Sequence, residues 1–167
     1  MIKKILTLLL LVGSGCGVVQ SFNESPIDRY LYKINKDPRH VESCGPKALY
    51  KALRELGHSM AIKEISYNIQ KGGDIARNIL ALFDQEARSI TWPSEIIKFL
   101  EKRGYTISTV KDIEALTPVG NVALVLVRNG LSLDYHWMCF PSDSNIKAHF
   151  GGETEIKLIL LINQKSP

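Results

Sequence analysis

Cys44-Gly45-Pro46-Lys47-Ala48-Leu49-Tyr50-Lys51-Ala52-Leu53-Arg54-Glu55-Leu56-Gly57 carries the clearest helical signal in the 167-residue chain. Ala48, Leu49, Ala52, Leu53 and Leu56 recur at intervals of three and four, which gathers them on one face of an α-helix. Pro46 falls in the first turn, where a missing N–H costs no helical bond, and Gly57 stands where a left-handed C-cap is expected. A helix this apolar on one side needs a surface to cover it.

On its N-terminal side, Ile27, Tyr30, Leu31 and Ile34 predict a short helix over residues 26–34, followed by polar, irregular chain to Ser43. On the other side, Ile62, Ile65 and Ile69 predict a short helix that Gly72-Gly73 breaks. Ile75, Ile79, Leu82 and Phe83 predict another, and Thr91-Trp92-Pro93 opens one with Ile96, Ile97 and Leu100 on one face and Gly104 at its end. The pattern then changes. Residues 105–110, 122–127, 135–140, 146–150 and 155–162 read as strands, and Asn129-Gly130 and residues 141–145 read as turns. The last four strands are expected to form largely antiparallel hairpins. Helices followed by a sheet make an α+β domain.

The composition, 45% hydrophobic and 23% charged, suits one globular domain and excludes disordered or collagenous chains. The formal charge is +4. Lys3 and Lys4 lie in a leader-like segment, and without them 19 basic residues face 17 acidic ones, a balance of +2 that does not suggest a nucleic-acid partner. Three cysteines are too few for a disulfide scaffold or a four-cysteine zinc module.

The first cysteine directly follows the leader. Residues 1–4 are basic, 5–12 almost wholly apolar, and Gly13, Ser14 and Gly15 are small, which is the layout of a secretion signal and too short to span a bilayer. Small residues before Cys16 resemble the lipobox of bacterial lipoproteins, although Gly13 stands where that pattern has a larger apolar residue. The resemblance implies a signal peptide over 1–15, lipidation of Cys16, a tether over 16–24 and a folded domain over 25–167. It also implies a chain lipid-anchored to a membrane of the bacterial cell envelope, on the secreted or periplasmic side. The apolar run 156–162 is too short to span and suits a core strand.

Cys44 stands where irregular chain becomes helix. The free N–H groups and positive dipole end of a helix N-terminus favour thiolate over thiol, and the same groups can hold an oxyanion. Gly45 allows close approach of a backbone or substrate. The string Cys44-Gly45-Pro46-Lys47-Ala48-Leu49, with Tyr135-His136-Trp137-Met138 much later, resembles the papain-like cysteine peptidases that process double-glycine leader peptides of bacteriocins. The resemblance covers most of residues 38–150, including Leu56-Gly57-His58 and the helix that begins at Pro93 and leaves through Gly104-Tyr105. It implies a papain-like cysteine peptidase fold, Cys44 as nucleophile, His136 as base and no cofactor.

Alternation along the strand sets Asp134, His136, Met138 and Phe140 on one face and Tyr135, Trp137 and Cys139 on the other. Cys139 is therefore expected in a layer behind the sheet, away from His136, which disfavours both a Cys44–Cys139 disulfide and a zinc site from Cys44, His136, Cys139 and His149. The chain departs from the family twice. The family's Asp-Pro after the strand following His is absent, leaving Asp143, Asn145, His149, Asp134 or a bare dyad to orient the imidazole. The family's Gln six residues before Cys is Pro38 here, so Arg39 or His40 becomes the candidate oxyanion donor. The expected activity is cleavage of an amide bond in a peptide, protein or peptidoglycan stem by Cys–His catalysis through an acyl-enzyme. The alternative is a papain-like binding or exclusion lipoprotein with a degraded site.

Overall fold

The structure is a computed structural model that describes residues 38–164, except 72, 73, 75, 77, 81–83, 85–87, 132, 133 and 144. The leader, Cys16, the tether and the helix expected over 26–34 lie outside the described residues, as do Gly72-Gly73 and much of the helix expected from Ile75 to Phe83. A short 3₁₀ turn, Pro38–Glu42, leads into α1 (Cys44–Glu55), α2 (Ile62–Lys71) and α3 (Pro93–Glu101). The strands β1 (Tyr105–Thr109), β2 (Val122–Asn129), β3 (Tyr135–Phe140) and β4 (Thr154–Gln164) follow. They form one antiparallel sheet in the order β1-β4-β2-β3. The protein is thus an α+β domain with its N-terminal helices packed on a C-terminal four-stranded sheet. Among the described residues no helix is long and apolar enough to cross a membrane.

α1 ends as its sequence dictates. Gly57 takes φ 79°, which a residue with a Cβ rarely adopts. Its N–H reaches Arg54 O at 3.0 Å while the His58 N–H reaches Leu53 O at 2.8 Å, the paired bonds of a Schellman motif. The apolar face of α1 (Ala48, Leu49, Ala52, Leu53) is buried with Ile65 and Ile69 of α2, Ile96, Phe99 and Leu100 of α3, and Leu124, Trp137, Cys139 and Leu160 of the sheet. The opposite face of the sheet has its own core of Ala123, Val125, Val127, Met138 and Ile159, covered by Leu116 and Ile146 from the loops. β2 is apolar at every position from Val122 to Val127 because both of its faces are covered.

Two expectations are corrected. Residues 146–150 form no strand: Ile146–Ala148 is a 3₁₀ turn entered through Asn145 at φ 61°, with Ile146 buried in the core at 5% exposure and Phe150 packed half-buried against it. With Lys147, Ala148 and His149 exposed, the segment has no alternating apolar face for a sheet to hold. β4 instead inserts between β1 and β2, so β2–β3 is the hairpin and β4 reaches its place by a longer connection. The alternation along β3 is as expected, but the helices cover its Trp137 and Cys139 face, not the face of His136 and Met138. Cys139 therefore packs beneath α1.

Candidate active site

Cys44 is the first residue of α1. Ser43, in the N-cap position, makes no side-chain cap, because its hydroxyl donates to His40 O at 2.8 Å. The N–H groups of the first turn stay uncapped and gather about the thiol, where those of Cys44, Gly45 and Trp137 all favour the ionised form, as does the Lys47 ammonium. Burial outweighs them and pushes the Cys44 pKa up. The resting group is a half-buried neutral thiol, packed at the border of the helix-side core.

Trp137 directly follows His136 on β3, the edge strand of the sheet. Its N–H points out of the sheet toward Cys44, as the N–H of Cys139 points out toward Asp143 Oδ2 at 2.7 Å. The free edge is thus occupied from outside by a thiol and a carboxylate. His136 projects to the far face, where its ring stacks on His149 with centroids 4.4 Å apart and planes 20° from parallel. Burial lowers its pKa most, with further lowering from His149, Lys51 and Lys47 and an opposing pull from Asp143. No hydrogen bond joins Cys44 and His136; they are neighbours through one peptide unit, on opposite sides of the edge strand.

Asp143 is committed to the scaffold. Its Oδ1 pairs with Lys51 of α1, and its N–H donates to Cys139 O at 2.7 Å. It clamps the turn after β3 against α1 and reaches His136 only through its field. Asn145 is the left-handed residue of the following turn, and Asp134 is exposed before β3. Of the oxyanion candidates, Arg39 is exposed on the Pro38–Glu42 turn. His40 is 0% exposed with Nδ1 at 2.8 Å from Ser66 Oγ and Nε2 at 2.9 Å from Thr91 Oγ1, so both ring nitrogens are engaged away from the thiol. His40 is a structural post, and the donors left beside Cys44 are backbone N–H groups.

Nothing in the sequence marks Thr91 and Ser66 as part of the site. Thr91 shares a hydrogen bond with the His40 ring through its hydroxyl and accepts the Trp137 indole N–H on its carbonyl at 2.9 Å, tying the chain before α1, the loop before α3 and strand β3 into one buried node. Gly45 lies against it: a Cβ there would fall 2.3 Å from Thr91 Cβ. The close approach that Gly45 permits is therefore taken by the protein itself.

Beyond Phe140, the His136 side of the sheet opens into a groove of about 540 Å³ walled by Ile113, Pro118, Phe140, Pro141 and Ile146. Among the described residues no group of three or more His, Cys, Asp or Glu side chains is arranged to hold a metal ion. Cys44 and Cys139 are both free thiols. Burial, reinforced by the charges of Asp143 and Glu55, pushes the Cys139 thiol up to about 12. A thiol whose folded pKa is raised contributes stability below its unfolded value and loses it as pH rises from there toward the folded one. Between pH 8 and 10 the protein is expected to lose about 2 kcal/mol through Cys139. Urea unfolding of wild type and Cys139→Ala at both pH values checks this, with the flatter response in the variant.

No family model, no curated protein and no solved structure matches the chain.

Proposed function

We propose that the protein is a thiol hydrolase, a cysteine peptidase or amidase of papain-like architecture, in which Cys44 attacks an amide carbonyl and His136 moves the proton. The observation that carries the reading is the Cys44 thiol at an uncapped helix N-terminus, facing the N–H of the residue next to His136. Because the thiol is neutral at rest and burial keeps the imidazole neutral, the pair works by general-base catalysis rather than as a standing ion pair. His136 takes the thiol proton as sulfur bonds to the carbonyl carbon. The oxyanion rests on backbone N–H groups at the start of α1. The imidazolium then protonates the departing amine as the C–N bond breaks, and water, deprotonated by the same imidazole, hydrolyses the thioester and restores the thiol. His136 must reach Cys44 around the edge of β3 for this cycle to run.

The same reading takes the chain as a lipoprotein anchored through Cys16 in the bacterial envelope, where its substrates are secreted peptides, envelope proteins or peptidoglycan stems. A panel of peptide amides and muropeptides, incubated with the reduced full chain, is expected to contain a hydrolysed member. Since the folded imidazole stays neutral to lower pH than a free one, the acid limb of kcat/KM is expected to have its midpoint below the ordinary histidine value near 6.5. No turnover across the panel, or an acid limb above that value, would count against the proposal.

A second reading, a binding or exclusion lipoprotein with a degraded site, is favoured by one observation: His136 stacks on His149 and makes no hydrogen bond to Cys44. Under it, a panel member binds with the same affinity to wild type and Cys44→Ala and neither protein cleaves it.

A further inference from the structure

The His136–His149 stack is held firmly from behind. The His149 ring meets Phe150 edge-on at 4.6 Å, and Phe150 packs on the far-face core. The Phe150 N–H is anchored on Thr154 Oγ1 at 2.8 Å, and the preceding turn is pinned by buried Ile146. His149 is exposed, belongs to no strand or α-helix and carries little of the core. Its clearest contact is therefore the one that fixes the His136 ring on the side of β3 away from the thiol.

We infer that His149 is a positioning residue that parks the His136 imidazole on the far face of the sheet, so that breaking the stack is the step that delivers the base to Cys44. The inference rests on the reading of Cys44 and His136 as the working pair. Around His136 the charged and titratable neighbours are Lys47 and Lys51 of α1, Asp143 of the turn after β3 and His149 itself. The first three stay when the stack is broken. A ring released from His149 can turn about its χ1 toward the strand edge, where the thiol lies beside the next N–H and the field of the Asp143 carboxylate favours the imidazolium that forms once the ring has taken the thiol proton.

The test uses the reduced full chain and the rate at which iodoacetamide alkylates Cys44 at pH 7, mapped by mass spectrometry. A one-unit fall in the thiol pKa raises the thiolate fraction about tenfold, and the weaker nucleophilicity of a more acidic thiol trims the gain to about threefold. His149→Ala is expected to speed alkylation of Cys44 about threefold to tenfold. His149→Phe, which keeps an aromatic ring against His136, is expected to stay at the wild-type rate, and His149→Ala with His136→Ala to return to it. A wild-type rate in His149→Ala, or a gain that survives removal of His136, overturns the inference. If the three rates come out as expected while no peptide amide or muropeptide is cleaved, the parking stands and the hydrolase reading alone fails. If wild type cleaves its substrate and His149→Ala leaves alkylation unchanged, the hydrolase reading stands and the parking is wrong.

Discussion

Cys44→Ala is expected to abolish amide hydrolysis, a loss of about 10⁴-fold or more in kcat/KM, while leaving the fold intact. The substitution removes one sulfur at the border of the core, and Ala suits the first turn of a helix. His136→Ala is expected to cost about 10²-fold to 10⁴-fold and to remove the acid limb of the pH profile. Combining the two should cost little more than Cys44→Ala alone, since base and nucleophile act as a unit. Steady-state kinetics on any cleaved panel member, with circular dichroism to confirm folding, checks all three variants. A Cys44→Ala protein within tenfold of wild type would show that the helix N-terminus is architecture and the chemistry lies elsewhere.

Gly45→Ala is expected to destabilise the protein by about 3 kcal/mol or more, far beyond the usual effect of replacing glycine in a helix, where alanine ordinarily helps. The added Cβ would sit 2.2 Å from Thr91 Oγ1 and 2.3 Å from Thr91 Cβ. Thr91 cannot step aside, because its hydroxyl is bonded to buried His40 and its carbonyl to the Trp137 indole. Relief requires α1 and the Thr91 loop to move apart, which strains the node that also holds Trp137. For a chain of this size the loss corresponds to a fall in Tm of about 6–12 °C. Adding Thr91→Gly removes the clashing Cβ and is expected to recover part of the loss, a non-additivity that ties the effect to this one contact. A Gly45→Ala protein as stable as wild type would show that α1 does not approach the Thr91 loop this closely.

The architecture was legible where one local pattern settles the matter. α1 declares itself by five apolar residues at helical spacing and a glycine at the stop, and β3 by a short aromatic and apolar run between turn residues. Alternation sorts side chains into two faces but does not say which face receives the helices. Here both faces of β2 are apolar and both are covered, so nothing along the chain told the Trp137 side from the His136 side. Residues 146–150 misled for a related reason: apolar residues at both ends suggest a strand, but Asn145 turns left-handed and the three residues between Ile146 and Phe150 are exposed.

The candidate site was legible in its thiol and less so in its surroundings. Cys44 at a helix start follows from sequence, since Pro46 and the apolar period fix where the helix begins. The node behind it does not, because His40 meets Ser66 and Thr91 across 26 and 51 positions of chain. A buried histidine bonded to two hydroxyls looks in sequence like any polar residue near a nucleophile, which is why His40 stood as an oxyanion donor. Asp143 looked free to orient His136 because its partners, Lys51 and the Cys139 N–H, come from another element and from the backbone.

The most direct measurement is to trap the acyl-enzyme. The reduced full chain is mixed with the peptide amide and muropeptide panel, quenched in acid within the first turnovers and digested, and the fragment bearing Cys44 is weighed. An acyl group in thioester linkage on Cys44, absent from Cys44→Ala and lost again when the wild type is left to run, is the predicted result. Cleavage that proceeds equally in wild type and Cys44→Ala, with no acyl mass on Cys44, would contradict it.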